Sequence, residues 1–179
     1  MQTKMRAVSL LEQRAHSDII QLTMNNLPPA AQALDQLGIP YRLFQHKGPV
    51  HSLEQAAQER RHVPDQIVRS IILRVAQDEF LMVLMAGARQ ISWATLRKYL
   101  GQSRMTMATE TEVLQVAGAE RGGVSPFGLP RPMKILIDES VFANAEISLG
   151  SGVRGTAIIM QSADLKRALP KAPVGKFAE

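Results

Sequence analysis

The chain has 179 residues, 45% of them hydrophobic, which is the size and apolar content of one domain with an ordinary buried core. It contains no cysteine, so thiol nucleophiles, thiolate metal sites and disulfides are excluded, and a reducing compartment fits. Only 4% of residues are aromatic and the formal charge is +5, which argues against stacking platforms for single strands but suits a protein that touches structured RNA through its phosphates.

Met5, Val8, Leu11, Ala15, Ile19 and Leu22 recur at helical spacing and predict an amphipathic helix ending at Asn25-Asn26. Its apolar stripe has three uses open to it: folding back on the core, pairing with a second copy as a homodimer, or covering a site. Nothing before Arg14 resembles a leader, no apolar run reaches the roughly 18 residues of a membrane span, and the chain reads as soluble and cytoplasmic with no membrane partner. Pro28-Pro29 then start a second helix, Ala30 to Leu37, closed by Gly38. The expected organisation is an arm over residues 1–27 and a folded unit over 28–179.

Ile39 to Gln45 reads as a strand with Tyr41 and Leu43 on one face, and Ser52 with Gln55 forms a capping box for a short helix through Ala56-Ala57. A further start follows at Pro64-Asp65. Val68 to Val75 and Glu79 to Met85 are apolar, β-branched runs joined through Ala76-Gln77-Asp78, a hairpin buried on at least one face. Arg69 interrupts the first run, and a charge there must reach solvent, a partner or a ligand.

Ser92 caps a helix from Trp93 to Leu100, ended by Gly101, and Met105 to Ala108 is a short strand. Thr109 and Glu112 form a second capping box for a helix to Ala117, closed by Gly118. Met133 to Ile137, Glu146 to Leu149 and Thr156 to Met160 are strands, and Ser162 caps a last helix through Leu169. Strands and helices mix without a regular βαβ rhythm, so the expected class is mixed α/β, a mainly antiparallel mixed sheet flanked by helices.

Seven of the 12 glycines fall between Gly118 and Gly155, concentrated in two loops. The first is Gly122-Gly123-Val124-Ser125-Pro126-Phe127-Gly128 with Pro130 and Pro132 behind it; the second is Gly150-Ser151-Gly152-Val153-Arg154-Gly155. Glycine lets main-chain N–H groups approach a ligand without a Cβ in the way, so the first loop is suited to present donors to an anionic or carbonyl oxygen; a structural turn is the alternative. Neither loop is a Walker A or dinucleotide fingerprint, so no nucleotide cofactor is expected. His46 and His51 lack a third ligand at a usual spacing, which leaves a metal unexpected and a capping or pocket-lining role for His51; His16 and His62 read as surface residues.

These segments in this order carry a resemblance. His51-Ser52 with its helix, Pro64-Asp65-Gln66-Ile67-Val68-Arg69-Ser70 with its hairpin, Gly122 to Pro126 as a G-x-x-x-P loop, and the Gly150 to Gly155 loop resemble the YbaK and prolyl-tRNA synthetase editing-domain family over about residues 28–169. The resemblance implies an aminoacyl-tRNA deacylase acting in trans on the acceptor end of a mischarged tRNA, tRNA-Pro carrying a small wrong amino acid, with no cofactor and with prolyl-tRNA synthetase as a protein partner. It also implies roles: Arg69, Gly122 and Ser125 in catalysis, and His46, His51, Ser70, Gly123, Pro126, Gly150, Gly152 and Arg154 in substrate binding. Where the family usually has a lysine, this chain has Arg69, which keeps the charge on a planar fork instead of a point. The rival from another class is a non-catalytic module of the same fold that binds an aminoacyl-tRNA end or an amino acid; a hydrolase for another small ester is the third reading.

Overall fold

The computed structural model describes residues 27–179, so the amphipathic helix expected over Met5–Leu22 and the surface position expected for His16 lie outside the described residues. Helix α1 (Pro29–Gln36) begins on a proline, whose missing N–H would have no partner in the first turn anyway, buries Ala30, Ala31 and Leu34, and is followed by Gly38 at φ +64°. Strand β1 (Arg42–Gln45) is shorter than the sequence pattern suggested. Ile39 still donates its N–H back to Leu34, and Pro40 has no donor, so pairing cannot begin before Arg42.

Helix α2 (Leu53–Arg60) has the expected N-cap, with the Ser52 hydroxyl accepting from Gln55 N–H at 3.0 Å. The Gln55 side chain reaches back one residue further than a capping box requires, to His51 N–H at 2.9 Å. A 3₁₀ turn over Pro64–Gln66 leads into β2 (Val68–Ala76), which pairs antiparallel with β3 (Glu79–Ala86) in register from Val68↔Ala86 to Ala76↔Glu79. Helix α3 (Trp93–Leu100) has Ser92 at its N-cap position, but the hydroxyl donates to Thr95 Oγ1 at 2.9 Å and makes no cap bond. The strand expected over Met105–Ala108 is reduced to the two-residue β4 (Thr106–Met107), while α4 (Glu110–Ala117) has both halves of the Thr109–Glu112 capping box.

After the first glycine loop come β5 (Lys134–Asp138), β6 (Glu146–Gly150), β7 (Thr156–Gln161), α5 (Ser162–Ala168) and β8 (Val174–Gly175). Ser162 does not cap α5. Gln161 holds the N-cap position and Ser162 is the first helical residue, its N–H donated to Ala145.

The strands form a five-stranded sheet, β4-β2-β3-β5-β8, and a three-stranded sheet, β1-β7-β6. Pairing is antiparallel except for β5 with its two neighbours β3 and β8. A single parallel bridge, Ile67↔Ser148, joins the sheets beside the start of β2. The β2–β3 hairpin is buried on both faces, and the two-residue period of a strand sorts its side chains. Val68, Ile72, Met82 and Leu84 pack with α1, Val124, Phe127 and the inner face of β6 and β7, whereas Leu73, Leu81, Val83 and Met85 pack with Leu96 and Phe177. Each large side chain withdrawn fully from water here contributes about 1.5–3 kcal/mol.

Asp138 closes the C-terminal end. One carboxylate oxygen accepts the N–H groups of Phe177 and Ala178 at 2.7 and 2.9 Å, the other the Ser140 N–H at 3.0 Å. Burial raises its pKa, but the bonds from Ser140 and the backbone outweigh that and hold it below the ordinary aspartate value.

Candidate functional site

The site follows from a gap in pairing. β4 reaches only Leu73 and Arg74 of β2, so the β2 edge from Val68 to Ile71 has no strand beside it on that side among the described residues. That edge opens into a cleft of about 1040 Å³ whose other walls are the segment from Gln45 to Ala56, Met107 and Ala108, and parts of both glycine loops. Lys47, Arg60, Arg69, Arg121 and Arg154 line it, and no aspartate or glutamate among the described residues does. Carboxylates stay at the rim: Glu120 lies 3.5 Å from Arg154 and Glu110 3.9 Å from Arg121, pairs too exposed to cancel the field inside. A groove of one charge sign with apolar walls concentrates anions.

Of the residues implied by the family resemblance, Arg69, Gly122, His46, His51, Ser70, Gly150 and Arg154 line this cleft together. Gly123, Ser125, Pro126 and Gly152 do not. Ser125 is 2% exposed, and its hydroxyl accepts the Phe127 N–H at 3.2 Å, which shapes the turn. Gly123 and Pro126 are buried beside it. Gly152 donates its N–H to the Gly123 carbonyl at 2.8 Å, tying one loop to the other.

Much of the glycine requirement is therefore backbone packing against backbone. A Cβ on Gly150 would collide with the carbonyl oxygens of Val124 and Gly123, and one on Gly128 would meet the Pro29 carbonyl at 2.5 Å. Gly122 differs: a Cβ there meets nothing within 4 Å, and the residue is needed for its φ of +86°. Gly122 and Val124 both line the cleft, and their N–H groups bond to no carbonyl among the described residues.

At the α2 end of the cleft the His46 and Arg60 side chains are engaged in a hydrogen-bond network. His46 Nε2 accepts from Arg60 Nε and Nη2 at 3.2 and 3.0 Å, so its proton resides on Nδ1 and is donated to Glu59 at 2.6 Å. Arg60 Nη1 donates to the Ser148 hydroxyl at 3.1 Å, and the His62 ring lies between Ser148 and Glu146, at 3.2 and 3.0 Å. His62 is not a surface residue as its sequence context suggested, since its side chain is 3% exposed. Burial pushes the Arg60 guanidinium down to about 10, against the attraction of Glu59. The Glu59 and Glu146 carboxyls are held below their ordinary value, each first by its bond to a histidine, His46 and His62 respectively.

At the β2 end the opposite holds. Arg69 Nη2 donates to the Arg89 carbonyl, a loop residue anchored by an ion pair to Asp65 at 3.1 Å. The guanidinium is half-buried and its pKa is lowered by burial. Arg69 Nε and the Ser70 hydroxyl are buried, and neither has a hydrogen-bond partner among the described residues. Arg60 and Arg121 are cleft residues that reading the sequence missed. Arg121 had a signal, its place directly before Gly122, whereas Arg60 sat in a basic cluster indistinguishable from a solvated surface.

A family model described as aminoacyl-tRNA editing domain matches residues 47–168. The proline–tRNA ligase of Aquifex aeolicus is 31% identical over 97 residues, which are 54% of this chain and 17% of the ligase. That of Kosmotoga olearia is 32% identical over 92 residues, 51% of this chain and 16% of the ligase, so the matched stretch is less than a fifth of either relative. Among solved structures, one of a hypothetical protein superposes with a TM-score of 0.77 at 20% identity, covering 84% of this chain and 99% of that one. Another, described as a candidate trans-editing enzyme for prolyl tRNA synthetase, gives 0.76 at 23% identity over 84% of this chain and 95% of that one. At these identities the likeness to the two structures is one of fold.

Proposed function

We propose that this chain, which belongs to the aminoacyl-tRNA editing domain family, is a deacylase acting in trans that hydrolyses the ester of tRNA-Pro charged with a small wrong amino acid. The observation that carries the reading is the cleft, lined among the described residues by five cationic side chains and no carboxylate, and bordered by a glycine-loop wall whose Gly122 and Val124 N–H groups bond to no carbonyl there. The cations suit the phosphates and ribose of an RNA 3′ end. The choice of tRNA-Pro rests on the matched regions of proline–tRNA ligases, and such a ligase is the source we propose for the mischarged substrate. Residues 28–179 are the editing unit in this reading, and residues 1–27 an added arm.

The chemistry asks little of the protein. Water adds to the ester carbonyl, negative charge builds on its oxygen, the acyl C–O bond breaks, and the ribose hydroxyl and free amino acid leave. Backbone donors from Gly122 and Val124 stabilise the developing oxyanion, where one preorganised donor is worth about 10²- to 10³-fold in rate. Arg69 holds the ester or the adjoining ribose. A side-chain nucleophile is not needed, and the neighbouring ribose hydroxyl assists, as the family resemblance implies. A second sieve of this kind is useful because a synthetase pocket separates side chains one methylene apart by only about 1–3 kcal/mol.

The test is hydrolysis of tRNA-Pro charged with alanine, cysteine, serine, threonine or proline. Selective release of one or two amino acids, weakened steeply by salt, is expected. Release no faster than the spontaneous rate across the panel would contradict it. One observation favours a second reading, a binding module without catalysis: the Arg69 guanidinium is already bonded to the Arg89 carbonyl. In that case the charged tRNAs bind with the same salt dependence and none is hydrolysed.

A further inference from the structure

We infer that Ser70 is the specificity-determining residue of this cleft and that it selects an amino acid carrying a side-chain hydroxyl, as serine and threonine do, over its apolar counterpart. The inference rests on the deacylase reading and adds a substrate class to it.

Ser70 lies between Val68 and Ile72 in β2 and shares their face of the strand. Those two residues pack in one apolar cluster with Val113 and Val124, and all four line the cleft alongside Ser70. The wall is thus aliphatic with one hydroxyl set into it, and that hydroxyl is buried without a partner among the described residues. An unpaired buried hydroxyl is destabilising, and alanine in its place would close the wall without that cost.

The groups of an aminoacyl ester divide themselves among the surroundings. Its carbonyl oxygen belongs with backbone donors, and the ribose and phosphates with the cations. Its ammonium needs a compensating carboxylate if it is to be buried, and none among the described residues lines the cleft, so the ammonium stays on the solvent side. What remains to face Val68, Ser70 and Ile72 is the amino-acid side chain. Its carbons meet the aliphatic neighbours, and a hydroxyl on it forms one hydrogen bond with Ser70 Oγ, as donor or as acceptor.

The experiment compares kcat/KM of the wild type and Ser70→Ala on tRNA-Pro charged with serine, alanine, threonine or valine. Threonine and valine have the same shape, and serine differs from alanine by the hydroxyl alone. The wild type should favour serine over alanine and threonine over valine by about tenfold, the worth of one neutral hydrogen bond. Ser70→Ala should lose that preference through slower release of serine and threonine, with a melting temperature unchanged or higher. No preference in the wild type, or an equal fall on all four substrates in Ser70→Ala, would overturn the inference, the latter because Ser70 would then read a group the substrates share. If nothing is hydrolysed, the deacylase reading fails by itself, and affinities for the 3′-amide analogues of adenosine bearing the same four amino acids decide the point. A hydroxyl preference abolished by Ser70→Ala sustains the inference, and equal affinities refute it.

Discussion

The two ends of the cleft are built from the same kinds of side chain and treat them in opposite ways. At the α2 end, His46 and Arg60 of the cleft wall join Ser148 and His62 behind it in one chain of hydrogen bonds that runs from Glu59 to Glu146 and leaves the ring nitrogens and the Ser148 hydroxyl engaged. At the β2 end, two and three residues along from the Ile67↔Ser148 bridge, Arg69 Nε and Ser70 Oγ have no partner among the described residues. A satisfied buried network fixes geometry, whereas buried polar atoms left open cost stability and persist where function requires them. In the proposed function the first end is scaffold and the second meets the ligand, although both contribute a cation to the cleft.

That contrast needs a rigid wall between the ends, and the largest effect is expected there. Gly150→Ala drives a Cβ into two backbone carbonyls that have no rotamer through which to retreat. It should cost about 3 kcal/mol or more of stability, measured by urea unfolding, or prevent folding. Gly122→Ala, with open space around it, should cost only the backbone strain of its positive φ, about 1 kcal/mol. Equal effects would break the account of the wall.

Next in size is Arg69→Ala, expected to lower kcat/KM about 100-fold while leaving the melting temperature unchanged or higher, because it removes a half-buried charge with an unpaired nitrogen. Ser148→Ala is its mirror. Ser148 does not line the cleft, but its loss strands donors or acceptors on Arg60 and His62, so stability should fall by about 2 kcal/mol while the rate per folded molecule stays within twofold.

The smallest effect is in acid. Glu59 and Glu146 have folded pKa values below their ordinary 4.5, so their contribution is present above that value and is lost as pH falls through the lowered ones. The gap in melting temperature between wild type and the Glu59→Gln, Glu146→Gln double variant should therefore be constant from pH 7 to about 5.5 and close below 4.5. A gap that persists at pH 3 would mean these carboxylates do not anchor the network.

Sequence alone reached the elements and stopped short of these distinctions. The hairpin was legible because Val68–Val75 and Glu79–Met85 are long apolar runs around a turn, and the capped helices because Ser52 and Thr109 stand three residues before a side chain that reaches back. β8 was missed since two residues after a proline carry no period, and its pairing with β5 is supplied by tertiary contact. The glycine loops were found but partly misread. Close approach by a ligand and close approach by another backbone impose the same demand on a residue, so spacing alone did not show that Gly123, Gly152, Ser125 and Pro126 stand behind the cleft lining. The α2 network was invisible for a different reason: Arg60 and His62 meet their partners 88 and 84 positions away, a distance at which no local spacing carries information.

The measurement that bears most directly on the division is a paired one, kcat/KM for hydrolysis of mischarged tRNA-Pro and urea unfolding, made on Arg69→Ala and Ser148→Ala together. The account predicts a crossed result, with Arg69→Ala folded and about 100-fold slower, and Ser148→Ala about 2 kcal/mol less stable yet catalytically intact. An Arg69→Ala protein that loses stability and keeps its rate per folded molecule would contradict it, placing the chemistry away from the β2 edge.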